Sequence, residues 1–365
     1  MSVGRLLAFL LLVAWPLSAA AADPAAARID AALKAQVEGK ATGVVLIARG
    51  GKPIYFKAFG SPTYPAIPKP TRQTAFDIAS ISKTFTAAAV LRLVDHGRLD
   101  LDAPLRRYLP ELPAATEDIT LRHALSHDTG WPQYLSGDDQ TMKTSQEVLA
   151  EIAGLVRDRK AGTGYRYSDV GFVALALIVE RVSGKPFREA MAELVFRPAG
   201  LRSTGFYGDA RWRRDPVAAE FVKGESKGSP ASFHFTWGLG GTGQVTTTAD
   251  DLLRLNRALT RGRLLSPASR ALMFGRGVST GGRRPVGGPD VLEVSYMAGL
   301  FHWTDRKGRH VHFHGGANEF GTNANMFWRE EDDLFIAALF NSGMMDETFD
   351  RTEFMNALLP ALDGD

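Results

Sequence analysis

The sequence predicts an α+β fold in which an antiparallel sheet, built from strands at both ends of the chain and flanked by terminal helices, encloses an inserted, mostly helical lobe. Apolar, β-branched runs at 42–49 and 52–59 indicate two N-terminal strands. After Val291 the apolar residues recur with a period of two, which indicates further strands. Between these ends the apolar residues recur at helical spacing, three and four positions apart. One sheet that joins both ends is the economical arrangement of such a chain.

The helices are predicted from apolar residues three and four positions apart. Several of their ends carry the expected signals. Gly97 is a natural stop, Thr248 and Asp251 resemble a capping box, and Ser266-Pro267 combines a cap with a proline in the first turn. The predicted helices lie at 25–38, 80–97, 120–127, 145–156, 169–182, 248–259, from 266 onward, and at 346–362.

The strands are predicted from short β-branched and aromatic runs separated by turn residues. Gly50-Gly51 predicts a hairpin between the first two strands, and Pro53 indicates an edge strand or a bulge. Glycine-rich stretches at 223–232 and 275–289 are expected to be loops. The predicted strands lie at 42–49, 52–59, 296–303, 309–314, 323–329 and 334–341.

The N-terminus has the layout of a secretory signal peptide. Arg5 precedes an apolar run at 6–17, and small residues continue to Ala22. The run is shorter than the roughly 20 residues that span a bilayer, and no later stretch qualifies. We therefore expect residues 1–22 to be removed, no membrane span thereafter, and a periplasmic or secreted protein.

Composition narrows the function classes. The chain of 365 residues has no cysteine, which excludes disulfides, thiolate catalysis and zinc–thiolate sites. The formal net charge of +3 is too small to indicate nucleic-acid binding, and basic runs with interleaved aromatic residues are absent. Residues 23–365 are expected to form a single catalytic unit, with an α/β lobe at about 25–80 and 290–362 and a helical lobe at about 84–285.

A serine and a lysine lie three residues apart where the second predicted helix begins. On a helix this spacing puts the Ser80 hydroxyl and the Lys83 amine on one face. A partly desolvated lysine can accept the serine proton and activate the hydroxyl as a nucleophile. The alternative is an ordinary first turn, with Ser80 as a cap and Lys83 in water.

Two later segments are suited to work with this pair. Tyr167 stands in a loop that leads into an apolar helix, and a phenol near a lysine cation ionises more easily. His314-Gly315-Gly316 ends a predicted strand, where paired glycines let a ligand approach the backbone closely. The alternatives are a tyrosine that only covers the core and a bulge followed by a turn.

Together these segments resemble the serine β-lactamase and penicillin-binding-type serine hydrolases, specifically the class C-like branch that includes esterases and D-aminopeptidases. The S-x-x-K motif is Ser80 to Lys83, the Y-x-N motif is Tyr167 to Asp169, and the K/H-x-G position is His314 to Gly316. The resemblance covers about residues 29–359 and implies a β-lactamase/transpeptidase-like fold.

The resemblance also implies roles for individual residues. Ser80 attacks an acyl carbonyl, and Lys83 with Tyr167 passes its proton to the leaving group. The backbone N–H groups of Ser80 and Ala317 form the oxyanion hole. His314 is implied as a further catalytic residue. Neither a metal nor an organic cofactor is implied, and the expected partner is a small-molecule or peptide substrate, including peptidoglycan-derived ones.

The expected substrate-binding residues are Asp169, Gly315 and Gly316. The chain departs from the family pattern at two positions, 169 and 314. Asp169 replaces an asparagine. Its carboxylate would favour the charged form of Lys83 and weaken it as a base, cap the helix, or suit a cationic substrate. His314 stands where the antibiotic-hydrolysing branch has lysine. A histidine at this position resembles the pattern of D-aminopeptidases and some esterases. We therefore expect an esterase or a D-amino-acid-type peptidase or carboxypeptidase; the alternative is a class C-like β-lactamase.

Two rival hypotheses come from the same residues. His310, His312 and His314 alternate along one predicted strand beside His302, a pattern that could hold zinc. Asp169 could instead mark a catalytically impaired relative that binds peptidoglycan fragments. His127 is expected to be a structural hydrogen-bonding residue.

Overall fold

An eight-stranded antiparallel sheet forms the centre of the computed structural model, which describes residues 24–60, 67–137, 141–262, 264–282, 293–342 and 350–364. The described strands are β1 (Gly43–Arg49), β2 (Lys52–Phe59), β3 (Phe76–Asp77), β4 (Gly205–Phe206), β5 (Glu220–Val222), β6 (Glu225–Gly228), β7 (Val245–Thr247), β8 (Val278–Ser279), β9 (Val294–Met297), β10 (Leu300–Thr304), β11 (His310–Ala317), β12 (Asn323–Arg329) and β13 (Leu334–Phe340). The order in the sheet is β2-β1-β13-β12-β11-β10-β9-β8. Because β1 pairs with β13, the prediction of a sheet built from both chain ends is confirmed.

Helices cover this sheet and form a lobe beside it. The described helices are α1 (Pro24–Val37), α2 (Ser82–Asp95), α3 (Leu121–Leu125), α4 (Ser145–Gly154), α5 (Asp169–Ser183), α6 (Phe187–Met191), α7 (Ala249–Thr260), α8 (Pro267–Met273) and α9 (Arg351–Asp363). α1 packs on α9, Phe354 of α9 meets Phe340 of β13, and α7 packs on β1 and β13. Every residue of β13 is buried, as expected for a strand covered on both faces.

Helix α5 is the centre of the helical lobe. Its residues from Asp169 to Val179 are all buried, and α2, α3, α4 and α6 pack against it. On the side away from α5, helix α2 contacts the sheet. A Cβ atom at Gly299 would lie only 2.6 Å from the Cα atom of Thr84. The β9–β10 turn therefore packs directly on α2, and the start of α2 lies where the two lobes join.

Local signals in the sequence are confirmed at the ends of several elements. The Thr248 hydroxyl caps α7 by accepting the N–H of Asp251 at 3.2 Å. Gly50 and Gly51 have φ values of 59° and 70°, as a tight hairpin turn requires. Pro53 lies on the edge strand β2, where its register against β1 shifts.

The structure corrects the predicted elements in several places. The segment predicted as one strand at 296–303 lies in two strands, β9 and β10, joined at Ala298-Gly299. The stretches at 223–232 and 275–289, predicted as loops, contain strands β6 and β8, which pair with β5 and β9. Strands β4 and β7 of the lobe predicted as helical form a small sheet with β3, which precedes that lobe in the chain. Strands of two or three residues are too short to show a periodicity in the sequence.

Some predictions fall on residues that the structure does not describe. The signal peptide predicted at 1–22 lies outside the described residues, as do parts of the predicted loop at 275–289 and of the predicted helix at 346–362. Within the described ranges, no helix is both long and apolar enough to cross a bilayer. The boundaries of the two lobes stay a prediction.

Candidate active site

A cavity of about 390 Å³ lies where the start of α2, the start of α5 and the end of β11 meet. Ser80, Tyr167, Asp169 and Ala317, four of the residues predicted from sequence, line it. Its wall also includes Asp77, Lys143, Tyr207, Gly243, Gln244, Glu319 and Phe320. Residues far apart in the chain therefore face one space.

Ser80 lies in a strained turn. The 3-10 turn Ala79–Ile81 immediately precedes α2. Ala79 has a φ of 41°, a left-handed conformation that is unfavourable for a residue with a side chain. The Asp77 carboxylate accepts the N–H of Ala79 at 2.9 Å and so holds this turn. The turn presents Ser80 to the cavity.

Lys83 is fully buried beside Ser80, and the predicted Ser80–Lys83 contact is confirmed. Its Nζ atom donates to Ser80 Oγ at 3.1 Å and to the backbone oxygen of Thr242 at 3.2 Å. The carboxylate atom Asp169 Oδ1 lies 2.8 Å from the same nitrogen and forms an ion pair with it. Burying an ammonium group is expensive unless partners surround it, and here two hydrogen-bond acceptors and one carboxylate do.

Tyr167 lies next to Ser80 and Lys83, on the side where α5 begins. The Lys83 Nζ atom lies 4.9 Å from the centre of the Tyr167 ring, and a side-chain hydrogen bond joins Tyr167 to Ser80. Burial raises the pKa of Tyr167 well above its ordinary value, and the charge of Asp169 adds to the rise. The expectation of a phenol that ionises more easily is therefore wrong, because burial and the charge of Asp169 raise its pKa. The phenol is neutral at rest.

Aromatic rings support Tyr167 from behind. The ring of His127 lies 4.2 Å from that of Tyr167 and 4.3 Å from that of Tyr296. His127 Nδ1 accepts the N–H of Ser168 at 3.1 Å, which confirms it as a structural hydrogen-bonding residue. Sequence reasoning missed Tyr296, because nothing in the pattern of a predicted strand marks which ring will face the site.

The structure does not place His314 at the cavity surface. Its side chain is buried, with Nδ1 against the Gly315 oxygen at 2.7 Å and Nε2 against the Tyr296 hydroxyl at 3.3 Å. Burial, with the charge of Lys83 adding to it, lowers the pKa of His314 to about 3. The structure thus shows a buried, neutral imidazole that contacts Tyr296 behind the site, and the catalytic role of His314 stays a prediction.

The glycine at position 316 allows a close backbone contact beside the site. The predicted substrate-binding role of Gly315 and Gly316 stays a prediction. A Cβ atom at Gly316 would lie 2.0 Å from the Ile78 oxygen and 3.2 Å from the Ser80 nitrogen. The missing side chain lets β11 pack against the turn that carries Ser80. This packing brings Ala317 to the cavity wall beside Ser80.

Asp169 points at Lys83 and not away from the site. It is the first residue of α5, lines the cavity, and its Oδ1 atom lies 2.8 Å from Lys83 Nζ. Of the three roles considered for its carboxylate, the geometry selects the one in which it stabilises the lysine ammonium. Lys83 and Asp169 therefore form a buried ion pair at rest.

The histidines proposed as a metal site do not converge. The Nδ1 atoms of His302 and His312 lie 2.8 Å apart, whereas His310 is exposed and contacts Glu331. In the parts of the chain that the structure describes, no three His, Cys, Asp or Glu side chains are placed to hold a metal ion. His302 and His312 instead serve each other as hydrogen-bond partners.

Comparison with known proteins supplies a family match and relatives. The family model described as Beta-lactamase matches residues 29–358. Esterase EstB of Burkholderia gladioli is 33% identical over 220 residues, which cover 52% of this chain and 56% of the esterase. A penicillin-binding protein of Bacillus subtilis (strain 168) is 29% identical over 250 residues, 64% of this chain and 55% of that protein. The chain thus spans little more than half the length of these curated relatives.

Solved structures share the fold at lower identity. A D-amino acid amidase from Ochrobactrum anthropi SV3 aligns with a TM-score of 0.73 at 21% identity, covering 92% of this chain and 98% of the amidase. EstCE1, a hydrolase with promiscuous acyltransferase activity, aligns with a TM-score of 0.73 at 24% identity and the same coverage. The predicted β-lactamase/transpeptidase-like fold is confirmed.

The buried state of His314 predicts a pH dependence of stability. Its pKa is about 3 when folded, against about 6.5 in an unfolded chain, so protons bind preferentially to the unfolded state. The stabilising contribution is present above pH 6.5 and is lost as the pH falls from there toward 3. Urea unfolding at pH 7, 6 and 5 is expected to give a shallower loss of stability in His314→Asn than in the wild type.

His234→Asn is the matched control, because His234 is exposed. It is expected to keep the wild-type pH dependence. Equal slopes in His314→Asn and the wild type would contradict a neutral, buried His314.

Proposed function

Because the chain belongs to the β-lactamase family, as the match over residues 29–358 shows, we propose that it is a serine hydrolase that cleaves an ester or amide bond through an acyl-enzyme on Ser80. The observation that carries this proposal is the contact of Lys83 Nζ with Ser80 Oγ at 3.1 Å beneath the Tyr167 ring. A nucleophile within hydrogen-bond reach of a base, with a second proton carrier beside both, is the arrangement that acyl transfer requires.

The proposed reaction has two halves, acylation and deacylation. In each half the net result is that one proton passes from the attacking group to the departing group. Ser80 Oγ bonds to the acyl carbon while its proton passes to the neutral amine of Lys83. The backbone N–H groups of Ser80 and Ala317 stabilise the oxyanion that forms. The C–O or C–N bond to the leaving group then breaks as the oxyanion collapses to a carbonyl. Tyr167 gives its proton to that leaving group and takes one from Lys83, which restores both residues. A water molecule then attacks the acyl-enzyme by the same steps in reverse.

Asp169 controls how often this reaction can begin. Only the uncharged amine of Lys83 can accept the Ser80 proton, and the carboxylate at 2.8 Å stabilises the charged ammonium. We therefore expect activity to rise with pH, and to rise at a higher pH than it would with a neutral residue at position 169.

The residue at position 314 favours neutral or amine-bearing acyl groups over anionic ones. His314, which stands where the antibiotic-hydrolysing branch has a lysine, is buried and has a pKa of about 3, so it offers no cation to a substrate carboxylate. Lys143, on the cavity wall, is paired with Glu151 at 2.6 Å. An esterase or D-amino-acid-type peptidase or carboxypeptidase is therefore proposed ahead of a class C-like β-lactamase.

Export is part of the same proposal. It is supported by Arg5, the apolar run at 6–17 and the small residues up to Ala22, which precede the first described helix at Pro24. The proposed setting is the periplasm or the medium, where small-molecule, peptide and peptidoglycan-derived substrates are accessible.

A substrate panel tests the function directly. We expect a p-nitrophenyl ester or a D-aminoacyl p-nitroanilide to give a higher kcat/KM than a chromogenic cephalosporin. Ser80→Ala is expected to lower kcat by about 10⁴-fold or more, because the nucleophile is lost. Steady-state kinetics on wild type and variant provide the measurement.

Ser82→Ala is the matched control, because the Ser82 hydroxyl accepts the N–H of Val245 at 3.2 Å and does not line the cavity. Its activity is expected to stay near that of the wild type. Preference for the cephalosporin would favour the β-lactamase alternative. No turnover by the folded protein would favour an impaired, peptidoglycan-binding relative.

Asp169→Asn tests the role of the ion pair. Removing the carboxylate charge is expected to move the acidic limb of the kcat/KM profile to lower pH by about one unit, because the amine of Lys83 then forms more readily. The variant is also expected to lose about 1–3 kcal/mol of stability, since the buried ammonium loses a charged partner. Rate measurements between pH 5 and 9 provide the test.

Asp102→Asn removes an exposed carboxylate that pairs with Arg122, and its profile is expected to match the wild type. An acidic limb in Asp169→Asn that stays in place or moves to higher pH would show that Asp169 does not hold Lys83 protonated.

A further inference from the structure

We propose that Asp77 is a positioning residue that fixes both backbone donors of the oxyanion hole, and that a protonated Glu220 supports it through Thr322. This inference rests on the proposed function, because it presupposes acyl transfer at Ser80. Asp77, Glu220 and Thr322 carry none of the steps proposed above.

One side of the Asp77 carboxylate holds the turn that carries Ser80. Oδ1 accepts the N–H of Ala79 at 2.9 Å. Ala79 is the residue with the unfavourable φ of 41°, directly before the first proposed donor. A turn of this kind persists only where surrounding contacts hold it, and the bond to Asp77 is such a contact.

The other side of the same carboxylate holds the residue that follows the second donor. Oδ2 accepts the side-chain amide of Asn318 at 2.6 Å, and Asn318 follows Ala317 at the end of β11. The side-chain oxygen of Asn318 in turn accepts the N–H groups of Phe320 and Thr322 at 3.0 and 3.1 Å. A single carboxylate thus joins the neighbours of Ser80 and Ala317, which are more than 200 positions apart.

The hydrogen-bond pattern assigns the proton of this acidic pair to Glu220. The Thr322 hydroxyl lies 3.1 Å from Asp77 Oδ2 and 2.8 Å from Glu220 Oε2, but it has only one proton to donate. Asp77 already accepts bonds from Ala79, Asn318 and the Tyr207 hydroxyl, whereas Glu220 Oε1 has no hydrogen-bond partner among the described residues.

The consistent arrangement therefore runs in one direction. The carboxylic acid of Glu220 donates to Thr322, and Thr322 donates to the charged Asp77. Burial raises the pKa of both carboxyl groups, but hydrogen bonds from Ala79, Tyr207 and Thr322 counteract the rise at Asp77, whereas the charge of Asp77 adds to the rise at Glu220. Glu220 is 1% exposed, so its proton is held inside the protein.

This geometry predicts an effect on kcat more than on KM. The oxyanion forms only on the way to the acyl-enzyme, so misplaced donors weaken the transition state and leave ground-state binding largely intact. Replacing a residue that only stabilised the fold would lower stability without lowering kcat more than it changes KM.

Asp77→Asn is the central test. Its amide group can accept fewer bonds, and we expect kcat on the best ester to fall about 10- to 100-fold while KM changes less than about threefold. Affinity for phenylboronic acid, whose adduct on Ser80 places an oxygen in the oxyanion hole, is expected to fall by a similar factor.

Asp251→Asn is the matched control. Asp251 is also fully buried, and it accepts bonds from the Ser203 N–H and the Thr204 hydroxyl, but it does not line the cavity. This variant is expected to lose stability while keeping its kcat. If Asp77→Asn does not fold, Asn318→Ala breaks one arm of the contact and is expected to lower kcat about tenfold.

The proton on Glu220 has its own test. Glu220→Leu is expected to lower kcat, and Glu220→Gln, whose amide nitrogen can donate to Thr322, is expected to restore most of it. Equal losses in the two variants would overturn the protonated Glu220.

A folded Asp77→Asn or Asn318→Ala with kcat within about twofold of the wild type would overturn the positioning role. The proposed function would still hold in that case, provided that the wild type hydrolyses the ester. A wild type that hydrolyses no ester or amide and does not bind phenylboronic acid would contradict the proposed function itself.

Discussion

The buried ammonium group of Lys83 is the interaction on which the site depends. Its partners come from three parts of the chain: Ser80 in the turn before α2, Asp169 at the start of α5, and the Thr242 carbonyl in the segment before β7. A buried charge must be surrounded by partners or be neutralised. The need to satisfy one nitrogen atom therefore fixes how these three segments meet, and the cavity lies at their meeting point.

Close backbone contacts hold the sheet against this group. Gly299 lets the β9–β10 turn touch Thr84 of α2, and Gly316 lets β11 touch the turn before α2. Any side chain at Gly316 would collide with the Ile78 oxygen. The same two glycines that bring the lobes together thus set the distance between Ser80 and Ala317, so packing and the proposed chemistry share one constraint.

The sequence revealed the parts of the fold and site that depend on local patterns. Strand β12 has the predicted ends at 323 and 329, and the contact of Ser80 with Lys83 follows from helical spacing alone. What the sequence could not reveal depends on burial and on distant neighbours. The pKa of Tyr167 moves opposite to expectation because burial and the charge of Asp169 raise it. His314 of β11 reaches Tyr296 of β9 across the strand β10 that lies between them. The turn at Ala298-Gly299 was missed because an alanine with positive φ gives no turn signal.

The most direct test of the account asks whether Ser80 is the reactive nucleophile of the folded protein. A fluorophosphonate probe, followed by intact-mass measurement and peptide mapping, locates the covalent adduct. The account predicts one adduct per chain, on Ser80, and slower labelling when Lys83 is replaced by methionine. An adduct on another residue, or a folded protein that the probe leaves unmodified, would contradict it.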